Sequence, residues 1–344
     1  MSQQAGFSAG ARFLITLAAF IVVVAGIKQA ESIVSVFLLS AFFAILCTPP
    51  FVFLQSKGVP AWLSLILVLV GITCAQLLVV SVIASSLADF KENLDFYQER
   101  LQGVSGEFIN WLNSMGIHIS QSVVKNYFNP GSLLKTAVNM LGGLGGVLSN
   151  AFLIVLTVIF MVFEATVLPN KLHRAFEGRM AFERMDLFLD NVKRYMSIKT
   201  IISLVTGLTV WIMLLALGVD YALLWAVLAL LFNFIPNIGS IIAAIPAVLL
   251  ALIQLGPGHA AIAGAGYVVI NVVMGNIIEP KFMGRGLGLS TLVVFLSLVF
   301  WGWILGPVGM LLSVPLTMML KIALDSSEET RWMSILMGSE SEGE

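Results

Sequence analysis

Runs of apolar residues long enough to cross a bilayer recur along this chain, and that recurrence limits the fold more than any other feature. A hydrocarbon core about 30 Å thick needs roughly 20 apolar helical residues to span it. Segments of that length, or close to it, fall at 13–27, 32–55, 60–88, 147–168, 200–218 and 260–278. Of the 344 residues 59% are hydrophobic and 11% charged, whereas soluble globular proteins carry about 25% charged residues to cover their water-facing area. The excess apolar surface needs lipid as its solvent. The sequence predicts an all-α integral membrane protein, a polytopic helical bundle of about eight spans.

The run at 13–27 lacks a small-residue cleavage site and is read as a retained membrane helix. Lys28 and Glu31 follow it closely, which predicts a tight helical hairpin with the second run. Residues 60–88 exceed the length of a span, so that helix should tilt or project into water. Between 89 and 146 the composition turns polar. Phe90, Leu94, Tyr97, Leu101, Val104, Phe108, Trp111 and Met115 there keep the 4-3 spacing of an amphipathic helix face, weakened at Gly103 and Gly106, where it could divide into two helices. The predicted organisation is membrane helices in 1–88, an amphipathic insert in 89–146, a membrane helix at 147–168, a helical linker at 169–199, a C-terminal module with broken hairpins in 200–325, and a tail in 326–344. Gly142, Gly143, Gly145 and Gly146 read as a hinge before the fourth run.

Lysine and arginine give the orientation, because they collect on the cytoplasmic side. With the N-terminus inside, 13 of the 18 fall inside, among them Arg12, Lys57, Lys281, Lys321 and the seven of 169–199. Lys28, Lys91, Arg100, Lys125 and Lys135 fall outside. The insert is then extracytoplasmic, and the linker and both termini are cytoplasmic.

Two apolar stretches are broken. One, 221–254, is interrupted by Asn233, Phe234, Ile235, Pro236, Asn237, Ile238 and Gly239; the other, 290–322, by Trp301, Gly302, Trp303, Ile304, Leu305, Gly306 and Pro307. Each half is about 22–26 Å long at helical rise, short for a span. Pro and Gly end helices and leave backbone groups unpaired, which at membrane depth must be buried in protein or line a cavity. Opposed re-entrant hairpins with tips near the midplane satisfy this, the first entering from outside and the second from inside, the arrangement of inverted broken elements. Ordinary kinked hairpins that span the membrane are the alternative. Both tips share a loose pattern of aromatic, any residue, aromatic, Ile, then Pro, then Gly, as an internal repeat would.

The stretch 260–278 carries Asn271 and Asn276 and ends at Glu279 and Pro280. At α-helical spacing Asn276 and Glu279 share a face, with Asn271 well round from them. Polar groups at such depth need a partner or water. In one reading Asn233, Asn237, Asn271, Asn276 and Glu279 hydrogen-bond a polar solute, and Glu279 carries a proton or cation. In the other the asparagines cap broken helices and Glu279 pairs with Lys281 or Arg285.

Several chemistries are excluded by the sequence. It contains no phosphate loop ending in Lys and Ser or Thr, so no ATP hydrolysis is expected. His118, His173 and His259 make no metal-spaced group, and neither a nucleophile elbow nor paired intramembrane acids are present. Cys47 and Cys74 lie in apolar runs and read as small hydrophobes. No enzyme activity, metal or cofactor is expected, and a net charge of −1 gives no basic field for nucleic acid.

The segments 231–240, 276–280, 284–290 and 301–315 closely resemble the autoinducer-2 exporter family of bacteria, and the layout is similar over essentially the whole chain. The resemblance implies export of a small, polar, uncharged furanone-type molecule across the bacterial inner membrane without ATP, by a homo-oligomer for which a pentamer is expected. Asn233, Pro236, Asn237, Gly239, Asn271, Asn276, Trp301, Trp303, Gly306 and Pro307 are the expected path, since a neutral polyhydroxylated ring favours amides, carbonyls and aromatic faces over fixed charge. Alternating access of a secondary transporter is the expected mechanism. Other branches resemble sodium (or lithium)/proton antiporters, in which Glu279 would carry the ion. A passive channel or membrane scaffold is the third class.

Overall fold

The computed structural model describes residues 9–116, 151–175, 179–236, 238–283, 288–325 and 327–338. Among these every regular element is helical. The N-terminal half contributes α1 (Ala9–Gln29), α2 (Glu31–Ser56), α3 (Ala61–Glu92) and α4 (Leu94–Ser114). Then come α5 (Ala151–Ala175), α6 (Arg179–Leu217), α7 (Ala222–Phe232), α8 (Gly239–Leu255) and α9 (Pro257–Asn271). A π-helical segment, Val272–Ile278, carries α9 into α10 (Glu279–Met283). The chain ends with α11 (Thr291–Asp325) and α12 (Arg331–Met337).

Among the described residues five helical stretches are long and apolar enough to cross a membrane, and shorter apolar helices include Ala222–Phe232 and Gly239–Leu255. At 32 residues, α3 outlasts a bilayer core, as its apolar length requires. Glycines 103 and 106 do not split α4, which is one helix through both. Residues 190–199, assigned by composition to a polar linker, continue without interruption into the apolar helix, giving a single 39-residue α6. The glycine hinge at 142–146 lies outside the described residues.

The exterior confirms which solvent the bundle meets. On α6, Ile201, Leu204, Leu208, Ile212 and Leu215 form an outward row, each more than half exposed. The opposite row, at the 4-3-4 spacing of one helix face, is Lys199, Ser203, Thr206 and Val210, all buried. A helix with apolar residues out and polar residues in is stable when lipid replaces water around it.

Two cores hold the bundle. One joins α6, α7, α8 and α9 through Val210, Leu214, Trp225, Leu250 and the fully buried alanines 243, 247, 251 and 263. Small side chains there let helices pack closely without a hydrophobic drive from water. The other joins α2, α5, the start of α6 and α11 through Phe42, Ile154, Met196 and Leu312. A polar clamp fastens α4 to the far ends of α6 and α8. Tyr97 donates to Asp220 Oδ2 at 3.2 Å, the Gln254 side chain bonds both the Asp220 amide and its carboxylate, and Trp225 Nε1 donates to the Asp220 carbonyl at 3.0 Å. Burial, and then the Tyr221 hydroxyl and Asp220 carboxylate, hold the Tyr97 phenol above its ordinary range, so it stays a donor.

Candidate functional site

The first break is a reversal between α7 and α8. Pro236 cannot donate a backbone hydrogen bond, and the chain turns back so tightly that a Cβ on Gly239 would overlap the Phe232 carbonyl. The second break is confined to Gly306, whose φ of 58° and ψ of −144° suit glycine alone. The chain reverses there as well. Trp301 Nε1 donates to Thr317 Oγ1 at 3.0 Å, groups that a straight helix would hold about 24 Å apart. A Cβ on Gly309 would overlap the Trp301 carbonyl, just as Gly239 closes on Phe232. Both tips therefore use one device, a glycine seated on the carbonyl of the first aromatic in the shared pattern. The resemblance between the tips is geometric as well as sequential.

The tips meet α2 at different levels along its length. Phe234 of the first packs edge-on against Phe42, ring centroids 5.6 Å apart, about 16 Å along α2 from its first residue at helical rise. The second reaches the first turn of α2: a Cβ on Gly306 would stand 2.9 Å from Glu31 Oε1. Beside it Lys28 Nζ sits 3.7 Å above the ring of Trp303, which is 58% exposed. Pro307 is exposed too.

At the deeper tip Asn233 is buried and donates from Nδ2 to Ser203 Oγ at 2.9 Å. It does not cap α8, which has no side-chain cap. One turn away along α6, Lys199 Nζ bonds both oxygens of Glu279, at 2.7 and 2.8 Å, with side chains 5% and 17% exposed. Glu279 thus pairs with Lys199 and not with Lys281, which is exposed; Arg285 lies outside the described residues. The π segment explains the second correction. Its i→i+5 turn is wider than an α turn, so Asn276 and Glu279 no longer share a face: Asn276 is exposed while Glu279 turns in to α6. Tyr195, buried a turn before Lys199, lies within electrostatic reach of Glu279. The Thr206 hydroxyl, a turn beyond Ser203, has no hydrogen-bond partner among the described residues.

Of the expected path, Asn233 is joined through the α6 row to Glu279, the expected ion-carrying group. Pro236 and Gly239 shape that tip, while Trp301, Trp303, Gly306 and Pro307 form the separate shallow tip. Asn271 and Ser240 are among the residues that line an apolar groove of about 480 Å³ between α8 and α9. Asn237 lies outside the described residues. The residues that sequence reasoning missed are Lys199, Ser203, Thr206, Lys28 and Glu31. The polar stripe Lys199, Ser203, Thr206 in an apolar helix was the available signal.

Outward apolar rows, inward polar groups and two broken hairpins define a polytopic α-helical membrane protein with polar side chains in its interior. A family model described as "AI-2E family transporter" matches residues 17–329. The chain is 44% identical over 334 residues to a "Putative transport protein" of Haemophilus influenzae, covering 95% of this chain and 96% of the relative. It is 40% identical over 332 residues to the "AI-2 transport protein TqsA" of Escherichia coli, again 95% and 96%. The chain belongs to the AI-2E transporter family and is a multi-pass membrane transporter.

Proposed function

We propose that this transporter exports autoinducer-2 or a similar small polar metabolite from the cytoplasm, by alternating access and without ATP. The observation that carries the reading is the buried Asn233–Ser203 bond at the deep tip, next to the unpartnered Thr206 hydroxyl. Neutral amide and hydroxyl groups beside a proline-broken backbone fit an uncharged, hydroxyl-rich solute. The family and the 40% identity to a protein named for AI-2 transport support the same substrate class. In this reading Asn233, Pro236 and Gly239 serve the deep part of the path and Trp301, Trp303, Gly306 and Pro307 its outer mouth, while Asn237, Asn271 and Asn276 are path residues by the family resemblance alone. The chain resides in the bacterial inner membrane with both termini cytoplasmic, as a homo-oligomer. The antiporter alternative is less favoured, because the Glu279 carboxylate is already matched by Lys199.

Inside-out vesicles carrying the wild-type chain are expected to accumulate labelled autoinducer-2, and Asn233→Ala to cut the initial rate about tenfold, the equivalent of about 1.4 kcal/mol. No accumulation by the wild-type chain, with fold and insertion intact, would reject the export reading.

Depth is tested separately, in a background with Cys47 and Cys74 replaced by alanine. Pro307→Cys should react quickly with an impermeant maleimide added outside, and Pro236→Cys much more slowly. Equal rates at the two positions would contradict the unequal depths.

A further inference from the structure

We propose that Lys199 is a built-in substitute for a coupling sodium ion, so that this transporter works without one. The inference gives the transport reading an energetic character, but its test needs no solute. Glu279 has the attributes of an ion-carrying group: it is an acid largely withdrawn from water, at the end of the π segment that interrupts an otherwise apolar helix. Both of its oxygens, however, already receive the Lys199 ammonium at 2.7 and 2.8 Å. A bidentate ammonium cancels the charge and occupies the inward side of both oxygens, where a bare cation would have to bind. A sodium ion arriving there would meet a fixed positive charge held in low dielectric.

The ammonium is also fixed in place. Lys199 is 4% exposed and stands one turn from Ser203, which is tied to the first hairpin through Asn233. Against this end of α9, α6 presents Tyr195 and Lys199; on the same segment as Glu279, Lys281 points outward. No cluster of three acidic, histidine or cysteine side chains able to hold a metal ion occurs among the described residues. Glu279 and Lys199 thus form a neutral pair where coupling to a cation would need an open carboxylate.

The test is binding of radioactive sodium to the purified full-length chain in detergent, at alkaline pH so that protons do not compete. The wild type and Lys199→Arg are expected to bind at background level. Lys199→Gln, which frees the carboxylate, is expected to gain saturable binding, and Lys199→Gln/Glu279→Gln to lose it again. Saturable binding by the wild type that disappears in Glu279→Gln would overturn the proposal. So would a monodisperse, fully helical Lys199→Gln that binds none. Should Lys199→Gln fail to fold, the wild type against Glu279→Gln still decides. Failure of autoinducer-2 export would remove the export reading and leave these binding results standing.

Discussion

Gly239→Ala and Gly309→Ala are each expected to cost about 3 kcal/mol or more, at the top of the range for overpacked sites, and to reduce the fraction of chain that elutes as a monodisperse species. The reason is that the added methyl meets backbone. At both positions it would overlap a carbonyl, that of Phe232 or of Trp301, and crowd the Cβ of Ile235 or Leu305 as well. A carbonyl in the last turn of a helix cannot swing aside as a side-chain tip can, so the hairpin itself must open. Gly264→Ala makes the contrast. Its methyl would find Val248 at 3.9 Å, an ordinary contact, and alanine is favoured over glycine inside a helix by about 1 kcal/mol. Thermal unfolding monitored by size exclusion should therefore move down for the two tip glycines and slightly up for Gly264→Ala. Equal behaviour of Gly239→Ala and Gly264→Ala would refute the tip geometry.

Removing one member of the Lys199–Glu279 pair is expected to destabilise more than removing both. Glu279→Leu leaves an ammonium that is 5% exposed with no counter-charge, a loss of about 3–5 kcal/mol for a buried pair. Lys199→Met should cost less, because the carboxylate is 17% exposed and keeps some water. Lys199→Met/Glu279→Leu should recover most of the loss, since apolar replacement of a whole buried pair is often close to neutral. The double-mutant cycle in thermal stability reads this as a coupling of at least about 1 kcal/mol between groups in contact. Strictly additive losses would mean that the two charges do not depend on one another.

The breaks were legible because proline, glycine and asparagine cluster there within a few residues; prolines outside such a cluster continue a helix, as Pro49 and Pro50 do in α2 and Pro246 in α8. The depths of the breaks were not, since Phe234 finding Phe42 and Gly306 finding Glu31 are encounters between distant segments. The same holds for Lys28 over Trp303. Lys199 was hidden for a different reason. It ends a basic segment, and a lysine beside other lysines and arginines reads as solvated. Only its register with Ser203 and Thr206 distinguishes it. Glu279 was assigned a face by α-helical arithmetic, and a π turn, which no residue type in 272–278 announces, changed the phase of everything after it.

That change of phase has a rotational consequence. A π turn holds one residue more than the α turn it replaces, and one residue corresponds to about 100° of helix rotation. If the segment at 272–278 returned to α geometry, the stub from Glu279 to Met283 would swivel by roughly that angle about the axis of α9. The carboxylate would leave Lys199, the stub shifting along the axis by only one residue's rise, about 1.5 Å, and no helix would have to melt. The π geometry of 272–278 is thus what keeps the Glu279 carboxylate engaged with α6, and through Ser203 with the first hairpin.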